Sequence, residues 1–312
     1  MFEEQLVNIK NLQLNNLPIG VSGYLRVYNE AKTLALCINS VINALDELII
    51  VVQESTDNSL QIAQALQQEY SNKIRVFSYP CINFTANINS VHSLVNYYNF
   101  ALSKCRYSYG VKIDADQIYI SAKLQIICNI YRECKIKFTA LDFLKSLLPW
   151  CNNSILIRKY YRKVQKQFNK YKRKNVLFFT SLAGINLIYK NGEYHVPLEY
   201  KCNGVQDHLI HKNDNDFYFI ASKDRIGYES YGYKGKPLSK YKLILAGLFW
   251  LHTAFMKPNR VGSFNRDNTI PLNKFLKRKI PKNKDYLKRF NYFHIDSKLL
   301  QTMKLPKQGF YL

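Results

Sequence analysis

From Ile19 to Val27 the chain is apolar and β-rich, opened by Pro18, and the run stops at Tyr28-Asn29-Glu30, where Asn29 is placed to cap a helix. Leu34, Ile38, Val41 and Leu45 then recur at three- and four-residue spacing, which predicts a helix with one buried face. Leu48 to Val52 is an unbroken aliphatic run, the pattern of a parallel strand covered on both sides, and Gln53 to Asp57 is the polar turn after it. A second helical stripe follows at Leu60, Ala63, Leu66 and Tyr70, and Ile74 to Phe77 reads as a third strand. Val91 to Cys105 predicts a helix, and Tyr109 to Ile113 a fourth strand that delivers Asp114 at its carboxyl end. This alternation implies right-handed crossovers and an α/β fold with a doubly wound, mainly parallel sheet. Ligands of such sheets sit beyond the carboxyl ends of the strands, which is where Tyr28, Gln53-Glu54 and Asp114 to Asp116 fall.

After Ser121 the pattern loosens. A helix is expected to about Cys134, and a basic stretch from Arg158 to Lys174 reads as a solvated helix. Val176 to Phe179 and Ile185 to Tyr189 read as short strands separated by Thr180 to Gly184, and Lys190-Asn191-Gly192-Glu193 as a hairpin turn. The chain therefore divides, on this reading, into an α/β half over 1–120, a second half of the same domain over 121–272, and a basic, aromatic-dotted helical tail over 273–312.

Composition narrows the class. With 312 residues, 47% hydrophobic, 12 Gly and 9 Pro, the chain is a folded protein with a sizeable core, neither collagen-like nor wholly disordered. A formal charge of +23 points to anionic partners without choosing among nucleotide phosphate, nucleic acid and an acidic lipid surface; a general drift toward Lys accounts for it equally well. The seven Cys are odd in number, scattered and free of any Cys-x-x-Cys pair, which argues for reduced thiols rather than a disulfide framework or structural zinc site. Cys202, His208 and His211 lack a fourth ligand and match no usual zinc spacing. Met1 to Lys10 carries acids and no apolar core of a leader, and the longest apolar run, Leu243 to Leu251, falls far short of the roughly 20 residues that span a bilayer. A cytosolic protein with any membrane contact peripheral, on the inner face of the plasma membrane, is the expectation.

The sharpest local signal is Asp114-Ala115-Asp116 at the end of a buried strand. If the chain turns between them, two carboxylates make an oxygen-rich site for a hard cation such as Mn²⁺ or Mg²⁺, which would neutralise a diphosphate leaving group. The bland alternative for the tripeptide alone is a solvated turn. Taken with Leu25-Arg26-Val27-Tyr28-Asn29-Glu30 and with Ile49 to Ser59, the pair resembles, in order and spacing, the motifs of the inverting family 2 glycosyltransferases with the GT-A, Rossmann-like fold. The resemblance covers roughly residues 19 to 119. It departs from the family at Arg26, where Pro or Thr is usual, and at Gln53-Glu54, where a pair of Asp is commoner.

What the resemblance implies is a donor nucleotide, UDP-linked as the commonest case, seated by Arg26, Tyr28, Glu30, Gln53, Glu54, Asp114 and Ala115. Tyr28 would lie against the base, and the base or ribose contact is open between Gln53 and Glu54. Without the family, Tyr28 reads equally as filler at a strand end, Arg26 as a partner of Glu30, and Asp57 as a cap for the following helix. The implied metal ligands are Asp114, Asp116 and a late His252. Gly204-Val205-Gln206-Asp207-His208 resembles the family's loop-to-helix acidic motif, with Asp207 as the base that deprotonates the acceptor, against a plain helix cap; Asp214, Asp216 and Asp224 are weaker candidates. Gly184 and Trp250 are the expected acceptor contacts.

The implied reaction is transfer of a hexose or N-acetylhexosamine, with inversion, to a saccharide or lipid-linked saccharide acceptor in bacterial surface polysaccharide or lipooligosaccharide synthesis. The basic tail would then rest on the anionic leaflet, each Lys or Arg contributing about 1 kcal/mol near the surface. Two other classes compete. A nucleic-acid-binding protein suits the charge and the interleaved Tyr and Phe, but no nucleic-acid motif is legible, and the acidic pair would be a liability on such a surface, so no nucleic-acid partner is expected. A nucleotidyltransferase also pairs Asp residues over metal, and the motif order favours sugar transfer.

Overall fold

The structure is a computed structural model that describes residues 13–133, 152–238, 241–257, 267–277 and 305. They form two compact units: the described residues of Met1–Ala115 with Ile210–Tyr241, and those of Asp116–Leu209 with Lys242–Leu312.

The first unit is built on four parallel strands, β1 (Val21–Val27), β2 (Glu47–Gln53), β3 (Ile74–Tyr79) and β4 (Tyr109–Asp114), in the order β3-β2-β1-β4. The helices α1 (Leu34–Val41), α2 (Ser59–Glu69) and α3 (Leu94–Ser103) make the crossovers. The last residues of β9 (Cys202–Lys212) extend the sheet, antiparallel to β4, with Gly110 opposite His211. All seven residues of β2 are buried, as its aliphatic run predicts, and each large side chain there contributes about 1.5 to 3 kcal/mol by leaving water. A three-stranded antiparallel sheet, β10 (Phe217–Ala221), β11 (Glu229–Tyr233) and β12 (Lys236–Pro237), packs on α3. Buried Asn99 ties the two together: its Nδ2 donates to the Phe219 carbonyl at 2.9 Å and its Oδ1 accepts from the Phe219 amide at 2.7 Å. An unbonded amide there would cost about 1 to 3 kcal/mol, so the pairing is obligatory.

Asn29 does not cap α1. It stands at φ 53°, in the left-handed region that Asn tolerates, and Thr33 precedes the helix. Asn29 Oδ1 instead accepts from the Thr56 amide at 2.8 Å, tying the turn after β1 to the turn after β2. Asp57 behaves as the cap reading predicts, accepting from the Ser59 amide at 2.9 Å, and it also accepts from the Ala31 amide at 3.0 Å. Burial works against its anion, but the bonds from Ser59 and Ala31 outweigh burial and lower its pKa.

In the second unit β13 (Lys242–His252) runs parallel to β6 (Phe178–Asn186) and antiparallel to β5 (Gln117–Tyr119). The strand order is β9-β6-β13-β5. A smaller sheet joins β7 (Ile188–Lys190), β8 (Glu193–Pro197) and β14 (Thr269–Pro271). Its hairpin turns at Asn191 (φ 52°) and Gly192 (φ 79°), as the Asn-Gly pair predicts.

Four expectations are corrected here. Thr180 to Gly184 is not a break between two strands but the buried middle of β6; small residues in a central strand carry no local mark that separates them from a turn. The basic helix is longer, α5 (Asn152–Arg173), and is not solvated all round: Tyr161, Val164 and Phe168, spaced by three and four, are buried. Phe168 meets the rings of Tyr131 at 4.9 Å and Phe178 at 5.4 Å. The segment around Asp207 is the middle of the eleven-residue strand β9, not a loop entering a helix. The helix after Ser121, α4 (Ser121–Tyr131), ends before Cys134, which lies outside the described residues. So does most of the basic tail, of which residues 273–277, within α6 (Leu272–Lys277), and 305 are described.

Candidate active site

The parallel sheet of the first unit places its candidate residues at the strands' carboxyl ends, because all four strands run the same way. Arg26 in β1 is in register with Asp114 at the end of β4, and Val27 with Val52. Arg26 is half-buried; burial disfavours its charge, but Tyr98, Asp114, Tyr97 and Glu229 more than offset this, so it stays cationic. Tyr28, one residue further, is 45% exposed and presents its ring to solvent rather than filling the strand end. Arg26 pairing with Glu30 is not the arrangement found: Glu30 is buried in the turn, where its Oε2 accepts from Thr33 Oγ1 at 3.1 Å and its amide donates to Ser59 Oγ at 2.8 Å.

Gln53 and Glu54 separate cleanly. Gln53 is buried and its Oε1 accepts from the Ile82 amide at 3.3 Å, while the Glu54 side chain is exposed and its carbonyl accepts from Cys81 Sγ at 3.4 Å. Of the two, Glu54 is the carboxylate a ligand can reach. The carbonyl of Asp114 accepts from Cys37 Sγ at 3.4 Å, which anchors the end of β4 to α1. Behind Asp114 along β4, Lys112 and Glu229 form a buried ion pair at 3.0 Å, with Lys112 Nζ 5.0 Å from the Tyr98 ring centre. Neither partner carries a sequence signal, since their pairing depends on β11 coming back over the sheet.

In the second unit Asp116 and His252 come together through strand pairing: Gln117 of β5 lies opposite His252 at the end of β13. His252 Nε2 is 3.3 Å from Asp116 Oδ1, and Lys257 Nζ is 2.7 Å from Asp116 Oδ2. The Asp116 carbonyl accepts from the Thr253 amide at 2.9 Å and from Thr253 Oγ1 at 3.0 Å. Burial opposes the Asp116 anion, but His252 and then Lys257 overcome it and hold the carboxyl far below the usual carboxylate range. The other imidazole nitrogen of His252, Nδ1, is 2.7 Å from Asn186 Oδ1. Asn186 Nδ2 donates to the Tyr200 carbonyl at 2.7 Å, which fixes the amide's orientation, makes Asn186 Oδ1 the acceptor and places the His252 Nδ1 proton on it. Nε2 is thereby the atom turned toward Asp116. Asn186 and Lys257 are absent from the sequence reading: a Lys among 45 basic residues and an Asn at a strand end have no motif to mark them.

Two further candidates take on different parts. Trp250 is fully buried and in register with Gly184 on β6. A Cβ on Gly184 would lie 2.0 Å from Trp250 Nε1, and Tyr119 and His208 pack on the indole with ring centres at 5.1 and 4.9 Å. Two register shifts in β13, at Leu245/Gly247 and Leu248/Trp250, bring the indole over that glycine. Both residues are core packing; neither offers a surface to an acceptor. Asp207 is the opposite case. Its side chain is 57% exposed, and its Oδ2 is 3.4 Å from Nε2 of fully buried His208. Gln117 Nε2 also meets that nitrogen, at 2.9 Å, and Gln117 Oε1 accepts from Tyr119 Oη at 2.9 Å.

A divalent cation is testable against these donors. Among the described residues no group of three or more His, Cys, Asp or Glu gathers at ligating distances. A hard cation that keeps waters and takes diphosphate oxygens needs one or two protein ligands, and the Asp116 carboxylate with His252 Nε2 supplies an oxygen and a nitrogen of the right chemistry. The donors fit.

Residues 25–135 match the family profile described as Glycosyl transferase family 2. Over this segment the chain is similar to family 2 glycosyltransferase domains. The match takes in all three motifs picked out above, and with the strand–helix order of the first unit it makes the fold α/β and GT-A-like, as expected. A Rickettsia felis protein described as an uncharacterized glycosyltransferase is 23% identical over 247 residues, 75% of this chain and 78% of that protein. A crystal structure of S. aureus TarS, residues 1–349, matches at 13% identity and TM-score 0.38, over 76% of this chain and 61% of that one. Glucosyl-3-phosphoglycerate synthase from Mycobacterium tuberculosis, solved with Mn²⁺, uridine diphosphate and phosphoglyceric acid, matches at 21% identity and TM-score 0.23, over 33% of this chain and 34% of that one. The chain thus spans less than two thirds of either solved structure. No helix among the described residues is long and apolar enough to cross a membrane.

Proposed function

We propose that the protein transfers a sugar from a nucleotide-diphosphate sugar, UDP-linked, to a saccharide or glycolipid acceptor with inversion at the anomeric carbon. The observation that carries this reading is the gathering of Arg26, exposed Tyr28, exposed Glu54 and Asp114 at the carboxyl ends of parallel strands, inside the segment that matches a family 2 glycosyltransferase domain. Tyr28 stacks on the base, and Glu54 accepts hydrogen bonds from the base or ribose. Arg26 offsets diphosphate charge as the only always-cationic side chain at that edge among the candidates. Asp116 and His252 are the residues that would hold Mn²⁺ or Mg²⁺, and the bound ion would supply neutralisation of the departing nucleotide diphosphate.

Inversion needs a carboxylate that takes the acceptor hydroxyl's proton as the acceptor oxygen bonds to the anomeric carbon and the carbon–oxygen bond to phosphate breaks. Asp207 fills that role on this reading: its carboxylate is exposed, and its Oδ2 lies 3.4 Å from Nε2 of buried His208. Bacterial surface polysaccharide or lipooligosaccharide is the proposed product class, with the basic chain resting on an anionic cytosolic leaflet. A panel of nucleotide sugars, scored for Mn²⁺-dependent thermal stabilisation and slow donor hydrolysis, tests the assignment. One donor should stabilise the parent chain, and Asp114→Ala and Asp116→Ala should abolish the metal-dependent part; variants that respond like the parent overturn it.

A further inference from the structure

The carboxylate of Asp116 already has a cation on it. Lys257 Nζ stands 2.7 Å from Oδ2, on the side away from His252 Nε2 at Oδ1, and both side chains of the Lys257–Asp116 pair are largely buried, at 19% and 9% exposure. The groups around this pair are each held by hydrogen bonds. Thr253 holds the Asp116 carbonyl through two bonds, and Asn186, itself held by the Tyr200 carbonyl, holds His252. The backbone of Lys257 is fixed at the end of the short 3-10 turn Ala254–Met256, where its amide donates to the Ala254 carbonyl at 3.2 Å. Its four-methylene stem is the part that can swing, and a lysine ammonium is a compact charge that binds as a point rather than as a fork.

A buried carboxylate left without a counter-charge is strongly disfavoured, and at Oδ2 it is Lys257 that supplies one. We propose that Lys257 is the resident cation of this site: it holds the Asp116 carboxylate in place while the metal is absent, and a divalent ion enters by displacing the ammonium from Oδ2. Cation affinity is then set by an exchange, one protein charge leaving as two metal charges arrive. This rests on the reading of Asp116 as a metal ligand, and it makes Lys257 a positioning residue whose removal improves binding, the reverse of what losing a structural strut does.

The test is a Mn²⁺ titration of the full chain without nucleotide, followed by electron paramagnetic resonance of the unbound ion, for the parent, Lys257→Met, Lys257→Arg and Asp116→Asn, with a circular-dichroism melt on each. Lys257→Met should bind Mn²⁺ about tenfold more tightly than the parent, as expected when a competing partly buried ion pair is removed, and Lys257→Arg should stay within about threefold of the parent. Lys257→Gln serves in the same comparison if the Met variant does not fold. Equal or weaker Mn²⁺ binding by the folded Met or Gln variant overturns the exchange while leaving Asp116 a ligand. Binding that persists unchanged in Asp116→Asn overturns the underlying reading of the site, and the exchange with it.

Discussion

Replacing Gly184 by Ala puts one methyl group where Trp250 Nε1 already is. The added carbon would lie 2.0 Å from that nitrogen and 2.1 Å from Cδ1, against an ordinary contact of about 3.5 to 4 Å, so the indole must retreat by about 1.5 Å. It has nowhere to go: Trp250 is fully buried, with Tyr119 at 5.1 Å and His208 at 4.9 Å between ring centres. Overpacking of a close-packed core costs about 1 to 3 kcal/mol, and an overlap of this depth on a clamped ring belongs at the upper end. At roughly 2 to 4 °C per kcal/mol for a chain of this size, Tm should fall by about 6 to 12 °C in a thermal melt followed by circular dichroism. Trp250→Phe in the same background removes the clashing atoms and should recover part of the loss, a coupling that a double-mutant cycle reads directly. If Gly184→Ala melts within about 1 °C of the parent while raising the KM for an acceptor, the residue lines a binding surface and the packing argument is refuted.

Two further outcomes follow from the same kind of reasoning. Phe168→Ala should cost about 3 to 5 kcal/mol in denaturant unfolding, because it removes the ring that joins α5 to Tyr131 and Phe178; a cost under about 1 kcal/mol would return that helix to solvent. His211 is fully buried, stacked on Phe217 at 3.9 Å, and its ring Nε2 is 2.8 Å from Tyr24 Oη; burial pushes its pKa from an ordinary 6.5 down to about 3. As pH falls from 6.5 toward 3 the unfolded chain takes up a proton on this imidazole that the folded chain refuses, so stability drops with acidification, by up to about 1.4 kcal/mol per pH unit from this group. Denaturant midpoints at pH 7 and pH 5 should diverge less for His211→Phe than for the parent, and equal divergence would place the proton elsewhere.

The sequence by itself determined the first half of the fold. Strands such as Leu48–Val52 declare themselves because a parallel strand buried on both faces has to be aliphatic throughout, and α1 and α2 because each hides one face in a fixed period. Parallel strands also bring their ends to one edge, so Tyr28, Gln53-Glu54 and Asp114 were legible as neighbours from their positions in the chain alone. Tertiary structure decided what depends on pairing between distant segments. Whether Thr180–Gly184 is a turn or a strand interior is set by β13 lying alongside it, and whether Trp250 faces a ligand or the core is set by two bulges that shift its register. Asp116, His252, Asn186 and Lys257 meet only because β5 begins where β6 and β13 end, at separations of up to 141 positions from Asp116 to Lys257 (257 minus 116). Local composition cannot encode such a meeting, because the energy that fixes it belongs to the packed sheet rather than to any one segment.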